Sequence, residues 1–446
     1  MLPLALFLAE QGHDISGSDR SHDQGNTLEK FDRLKEKSII LFPQDGSGIH
    51  EDTDVLVVSS AVEDSIPDVK KALSRNIQII KRGELLAQCF NVAETGVAVA
   101  GTSGKSTVTG MIATMLTRQE LDPTFVNGGA VRLNDSDDAI SVHCGDPDMF
   151  VAEIDESDGS INHYNPFVAV LNNIALDHKS MDELEQMFGD YIARASKAVV
   201  INADDKRVSR LAIAMAEAPI ISFGIGSKGA DLSARDIKLS PHGSTFTVKY
   251  QDAEFPAILH VPGQHNISNA LAAIGAGLAL DLDPAANIKS LGSFHGIHRR
   301  MELIGTRGDI TVIDDFAHNP DKIAASLSSL KTFDGRLIVM FQPHGFGPLK
   351  LMGQEIMDVF AQYLDAQDHL LIPEAYYAGG TVDRSVTAKG LIDGVSKKLP
   401  NARWFEERKP IAGFIKEIAR AGDRIVIMGA RDDTLHDFAK SLLKNF

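Results

Sequence analysis

The chain has 446 residues, 43% of them hydrophobic and 24% charged, which excludes a disordered chain or a fibre and leaves room for about three domains. Lys and Arg total 44 against 61 Asp and Glu, and the resulting charge of −17 argues against binding nucleic acid by phosphate neutralisation. Cys89 and Cys144 are the only cysteines, too few for a disulfide framework or a Cys-rich zinc site, and a reducing, cytoplasmic setting is expected.

The apolar run at 2–9 reads as a helix. It has no basic flank and passes at once into Glu10-Gln11-Gly12-His13, so a signal peptide is not expected. Strands are predicted at 13–17, 54–59 and 78–80. A strand at 96–100 runs through a glycine-containing turn into a helix in which Val108, Met111, Ile112, Met115 and Leu116 recur at i, i+3, i+4, i+7 and i+8. Strands follow at 150–154, 168–171 and 198–201, whereas 231–261 reads as hairpin-like strands turning at Pro241-His242-Gly243. Residues 270–282 are too few to span a bilayer and are interrupted by Gly275 and Gly277. The last block has strands at 310–314, 336–341, 369–372 and 424–428, and a final helix with Leu435, Phe438, Ala439 and Leu442 on one face.

Strands alternating with helices predict an α/β protein with parallel sheets, in three domains: 1–93, 94–299 and 300–446. The first block opens on a helix. A nucleotide-binding βαβ unit would place a strand and glycine-rich turn before that helix and an acidic residue after the next strand, to meet a ribose hydroxyl. Asp19 fits the acidic position and fits a capping or turn aspartate equally well. The expected first domain is therefore Rossmann-like without its leading strand and glycine turn.

Gly101-Thr102-Ser103-Gly104-Lys105-Ser106-Thr107 lies between a strand and an amphipathic helix, the setting of a phosphate loop. Backbone N–H groups at such a helix start can surround a polyphosphate, Lys105 can reach its outer phosphates, and Ser106 can ligate Mg²⁺. Val99 stands where the usual pattern has its first glycine, and no guanine-reading Asn-Lys-x-Asp occurs, which favours ATP over GTP. After strand 150–154 come Glu153, Asp155, Glu156 and Asp158, carboxylates whose mutual repulsion a cation would relieve. Asn172, Asn173, Asp177 and His178 follow the next strand, at the carboxyl-end edge where open α/β sheets bind ligands.

These motifs resemble the Mur ligases, ATP-dependent amide-forming enzymes of peptidoglycan precursor synthesis, along essentially the whole chain. The family's phosphate loop does not need the glycine missing at Val99. The resemblance implies a central P-loop ATPase domain with added antiparallel strands and a C-terminal Rossmann-like domain. It also implies that Glu153 and His178, with Ser106, hold Mg²⁺, and that His265, Asn266 and Asn269 of Gly263-Gln264-His265-Asn266-Ile267-Ser268-Asn269 contact adenine. Asn266 and Asn269 are spaced to face one base, or to cap their own helix. Arg300 in Gly296-Ile297-His298-Arg299-Arg300-Met301-Glu302 matches the arginine that reaches the γ-phosphate, and Asp314-Asp315-Phe316-Ala317-His318-Asn319-Pro320 resembles the Asp-Asp-aromatic-x-His-His-Pro signature, with Asp315 near ATP.

Ser16-Gly17-Ser18-Asp19, Ser59-Ser60-Ala61-Val62, the run ending at Asp158 and Phe341-Gln342-Pro343-His344 look most like the branch that joins UDP-N-acetylmuramate to L-alanine. Phe316-Ala317-His318 is closer to the branch that takes a recycled tripeptide. Asp19, Ser59, Ser60, Asp158, Phe316, His318, His344 and Arg384 are the expected substrate contacts. The chain departs from the pattern at Asn319, at Lys179-Ser180 after His178, and at Gly345-Phe346-Gly347-Pro348-Leu349, where the L-alanine branch carries arginines suited to clamp a carboxylate. Lys350 or Arg384 would have to take that role.

The implied reaction activates a carboxylate as an acyl phosphate, with Lys105, Arg300, Glu153 and His178 as the catalytic set and small molecules as the only expected partners, neither nucleic acid nor membrane. A P-loop kinase or ATPase would explain residues 101–107 but not the later motifs. A non-catalytic nucleotide-binding regulator would fit the shortened first unit.

Overall fold

The computed structural model describes residues 1–446 apart from 24, 26–27, 60–61, 134–138, 177–178, 377–384, 396–397, 431 and 433. The chain forms two compact units, Met1–Leu239 with Gly243–His295 and Ser240–His242 with Gly296–Phe446.

The strand Thr95–Ala100 is buried at its last five positions and lies inside a ten-stranded sheet. The strand order is Ala253–Leu259, Gly243–Tyr250, Leu232–Ser240, Ile220–Gly224, Ala198–Asn202, Val168–Leu171, Thr95–Ala100, Asp146–Glu153, Pro123–Arg132 and Ala139–His143. Pairing is parallel from Leu232–Ser240 through to Pro123–Arg132 and antiparallel at the two outermost pairs. The central strands are continuous apolar runs because helices cover the sheet, as parallel sheets require.

The helix Lys105–Arg118 buries Val108, Met111, Ile112, Met115 and Leu116 completely, and it packs against Gln264–Ala279. Tyr191, on the helix Met181–Ala193, is wholly buried, and its hydroxyl donates to the carbonyl of Ala98 at 2.7 Å. That bond anchors the helix to the strand feeding the phosphate loop. Tyr191→Phe is expected to cost about 1 kcal/mol in urea unfolding, the usual net worth of such a bond.

The N-terminal helix Leu2–Glu10 buries Leu4 and Phe7 in the core beside the large sheet, with Phe7 edge-on to Phe150 at 5.6 Å. It is part of the folded unit, and no helix among the described residues is long and apolar enough to cross a membrane. Beyond it lie two separate two-stranded parallel sheets, Ser16–Ser18 with Ile40–Phe42 and Val55–Val58 with Gln78–Lys81. A doubly wound sheet would join such pairs through a central strand. Among the described residues neither Ser16–Ser18 nor Val55–Val58 has a second strand neighbour.

The second unit holds a six-stranded sheet ordered Glu302–Arg307, Ile310–Asp315, Arg424–Gly429, Leu337–Gln342, His369–Pro373 and Ala402–Phe405, antiparallel only at its first pair. Helices Pro320–Lys331, Phe346–Tyr363 and Ala388–Val395 cover one face, and Lys409–Ile418 and Thr434–Lys444 the other. The carboxyl ends of its parallel strands share one edge, so Asp315, Gln342, Pro373 and Gly429 lie together there. The expected strands are present within a few residues. The strands not anticipated from sequence are mostly peripheral, Pro123–Arg132, Ala139–His143, Glu302–Arg307 and Ala402–Phe405 among them.

Candidate functional site

Gly104, at φ 84°, caps the helix Lys105–Arg118, and Gly101 has φ 132°. Both conformations favour glycine, and a Cβ on Gly104 would meet Asn172 Nδ2 at 2.4 Å and Asn269 Oδ1 at 2.6 Å. The loop is held open by Asn172 and Asn173, which follow the strand Val168–Leu171. The Ser103 N–H donates to Asn173 Oδ1 (2.8 Å), while the side-chain amides of Asn172 and Asn173 both donate to the Ser103 carbonyl (2.9 Å each). The Thr102 N–H donates to the Asn173 carbonyl and the Ala175 N–H to Thr102 Oγ1. An asparagine pair on the neighbouring strand thus fixes the loop's shape.

Lys105 Nζ lies 2.7 Å from Glu156 Oε2, an ion pair whose side chains are 13% and 5% exposed. Ser106 is buried, and its hydroxyl has no hydrogen-bond partner, although its own carbonyl accepts from Asn127 Nδ2 at 3.0 Å. Thr107 is half-buried in the first helical turn. Glu153, at the end of its strand, accepts from the Gly128 N–H at 2.7 Å, and a Cβ at Gly128 would come within 2.6 Å of the same carboxylate oxygen. A close-packed carboxylate and an orphaned buried hydroxyl make an oxygen donor set that fits a hard cation such as Mg²⁺. His178, the third expected ligand, lies outside the described residues.

The acidic loop is shaped by its own backbone. Asp155 Oδ1 accepts from the Ser157 N–H and Asp158 Oδ1 from the Ser160 N–H, both at 2.9 Å, and Arg82 approaches Asp158 at 3.7 Å. Asn269 is buried and bonded on both sides, accepting from Asn172 at 3.0 Å and donating to Asn266 Oδ1 at 3.2 Å. Asn266 in turn donates to the Pro262 carbonyl at 2.7 Å, and His265 is exposed at the helix start. The two amides therefore form a chain leading to the phosphate loop.

In the first block, Asp19 precedes the short helix Arg20–Asp23, and its carbonyl accepts from the Asp23 N–H. The Ser59 carbonyl accepts from Val62. Ser60 and Arg384 lie outside the described residues.

In the second unit the arginine pair divides. Arg299 is buried: its Nε lies 3.3 Å from Asp314 Oδ2, and its two terminal nitrogens donate to the carbonyls of Asp432 (3.0 Å) and Gly429 (2.8 Å). Arg300 is exposed. Asp315 is also buried. Desolvation pushes its carboxyl above the ordinary value, with Asp314 adding to the rise, against the opposing bonds from Ser326 Oγ and the Met301 N–H. Phe316, His318 and His344 come together: the His318 ring meets Phe316 at 5.5 Å and His344 at 5.1 Å, edge-on in both cases, and Phe316 is 37% exposed. At the same sheet edge a cleft of about 350 Å³ is lined by Glu374, Glu406, Glu407, Asp432 and Arg408.

The sequence pointed to Glu156, Asn172 and Asn173 as polar residues at strand ends but not to what they pair with, and it gave Arg299 no role. Glu156 is the partner of Lys105, Asn172 and Asn173 are the struts of the loop, and Arg299 is an internal anchor. The first two sit at strand ends rich in polar residues, which was the available signal. Only the motif match separates Arg300 from Arg299, and it says nothing of the anchoring role of Arg299.

A glycine-capped phosphate loop at the carboxyl edge of a parallel sheet, with a lysine in the first turn of the following helix, defines a P-loop nucleotide-binding α/β protein. Family models match along the chain: "Mur ligase family, catalytic domain" over residues 1–93, "Mur ligase middle domain" over 99–277 and "Mur ligase, glutamate ligase domain" over 299–431. The UDP-N-acetylmuramate–L-alanine ligases of Dictyoglomus turgidum and Clostridium acetobutylicum are each 32% identical to it, over 96% and 97% of this chain and 91% and 93% of theirs. Among solved structures, a UDP-N-acetylmuramate–alanine ligase from Thermotoga maritima matches with a TM-score of 0.78 at 24% identity, over 99% of this chain and 95% of that one. A murein peptide ligase from Psychrobacter arcticus matches with a TM-score of 0.69 at 25% identity, over 100% and 96%. The chain belongs to the Mur ligase family, whose members are ATP-dependent ligases.

Proposed function

We propose that the protein is a cytoplasmic, ADP-forming ligase that joins the lactyl carboxylate of UDP-N-acetylmuramate to the amino group of L-alanine. The observation that carries this reading is near full-length similarity to L-alanine ligases, combined with a phosphate loop that keeps its lysine and serine in place. In this reading residues 1–93 hold the nucleotide sugar, 94–299 ATP and 300–446 the amine.

A carboxylate oxygen of the substrate attacks the γ-phosphorus, and the bond to ADP breaks. The amine then attacks the acyl carbon, loses a proton and expels inorganic phosphate. Lys105 and Arg300 neutralise charge on the transferring group, so catalysis is chiefly positioning and electrostatics. Mg²⁺ held by Ser106 and Glu153, with His178 as the family resemblance implies, would supply further neutralisation of the phosphates. His265, Asn266 and Asn269 border the nucleotide. The many carboxylates around the cleft at Glu374, Glu406 and Glu407 suit an ammonium group, and Phe316, His318 and His344 border the amine.

A second reading, ligation of a recycled murein tripeptide, is favoured by the absence of arginines in Gly345-Phe346-Gly347-Pro348-Leu349 and by the half-exposed Phe316 beside His318. A phosphate-release screen crossing UDP-N-acetylmuramate with L-alanine, glycine, L-serine and the murein tripeptide separates the two. Release is expected with L-alanine and only when both substrates are present. Release with the tripeptide alone would favour the second reading, release without any amine a kinase or ATPase, and nucleotide binding without turnover a regulator. Glu153→Ala is expected to lower the L-alanine-dependent rate by about 100-fold or more, and an unchanged rate would remove Glu153 from the site.

A further inference from the structure

The second unit carries a cluster of metal-binding side chains that the ligase chemistry does not use. His298 and Glu302 lie on the segment entering the strand Glu302–Arg307, and His436 lies in the first turn of the helix Thr434–Lys444. One nitrogen of each imidazole and one Glu302 oxygen fall within 4.8 Å of one another. His298 Nδ1 is 2.9 Å and His436 Nδ1 3.7 Å from Glu302 Oε2, and the two rings meet edge-on at 4.2 Å. Ligands about 2.0–2.1 Å from a tetrahedral zinc ion are separated by roughly 3.4 Å, between those two spacings.

Three further observations bear on the cluster. His298 Nδ1, although close to the carboxylate, is buried and not aligned with it as a hydrogen bond. Asp314, fully buried, places Oδ2 3.0 Å from His436 Nδ1, so the ring nitrogen that faces Glu302 also meets a second carboxylate oxygen. The facing charges are two carboxylates, Glu302 and Asp314, against one guanidinium, Arg299, whose backbone N–H also donates to Glu302 at 2.8 Å. With neutral imidazoles the pocket therefore carries an excess negative charge that a divalent ion would offset.

We propose that His298, Glu302 and His436 form a binding site for a divalent transition metal of the zinc class, with the buried Asp314 carboxylate beside it. Two imidazoles and one carboxylate are a zinc-type donor set, whereas Mg²⁺ prefers oxygen alone. The ion would pin the segment at 298–302 to the C-terminal helix, a structural role separate from phosphate transfer.

The test uses the full-length protein stripped of metal with a chelator and titrated with Zn²⁺ or Co²⁺ in excess Mg²⁺. One equivalent is expected to bind and to raise the melting temperature, and Co²⁺ is expected to give the visible absorption of a four- or five-coordinate site. His298→Gln should weaken binding by about 100-fold and abolish the Co²⁺ spectrum, and His436→Gln should do the same, while Glu153→Gln leaves both intact. His298 is 31% exposed on its side chain, so its variant is the one expected to fold normally if His436→Gln does not. Absence of a stoichiometric site, or a site unaffected by His298→Gln, overturns the proposal. Metal content and spectrum are read without turnover, so the outcome does not depend on the ligase assignment.

Discussion

Lys105→Ala is expected to lower substrate-dependent phosphate release by about 10²–10³-fold and to destabilise the first unit at the same time. The catalytic loss follows from removing the cation that opens the helix Lys105–Arg118 beside the phosphate loop. The stability loss follows from Glu156, whose side chain is 5% exposed and whose carboxylate lies 2.7 Å from Lys105 Nζ. Without the lysine that charge is buried and unpaired, at a cost of about 3 kcal/mol or more. Lys105→Ala combined with Glu156→Gln separates the effects, because glutamine carries no charge to strand. The double variant should recover most of the stability in urea unfolding and none of the activity. Recovery of activity would mean that Lys105 serves the fold alone.

Arg299→Ala and Arg300→Ala are expected to fail in opposite ways. Arg299 neutralises the fully buried Asp314 and donates to two backbone carbonyls at the turn after the strand Arg424–Gly429. Its removal leaves the buried Asp314 carboxylate without its guanidinium and takes a donor from both carbonyls, so a loss of about 3–5 kcal/mol is expected in the second unit. Arg300 is exposed, and its truncation should change stability by no more than about 0.5 kcal/mol. The same truncation should lower phosphate release by about 100-fold, in keeping with the proposed contact to the γ-phosphate. Folded, active Arg299→Ala together with unfolded Arg300→Ala would exchange the two assignments.

Much of the fold is legible because the period of apolar residues is a local property. The runs at 96–100, 168–171 and 198–201 lack alternation and are the buried central strands of a parallel sheet, while the 3.6-residue recurrence from Val108 to Leu116 is the buried face of one helix. Ala139–His143 and Ala402–Phe405 are less legible. Each is only partly buried at the edge of its sheet, so its pattern carries little constraint.

The phosphate loop was legible for the same local reason: glycines, lysine and serine at fixed spacing between a strand and a helix state both a conformation and a chemistry. The hydrogen bond from Asn172 to Asn269 was not, since the two residues lie 97 positions apart in the chain.

The sequence by itself determined the α/β class, the phosphate loop and the resemblance to the Mur ligases, because each rests on residues adjacent in the chain or on a repeating local period. Tertiary structure alone decided that Lys105 pairs with Glu156, that Asn172 and Asn173 brace the loop, that Arg299 is an anchor while its neighbour faces solvent, and that His436 meets His298 and Glu302. Those outcomes depend on which strand ends lie side by side and on which charges the packing removes from water, and neither is written in the spacing of residues along the chain.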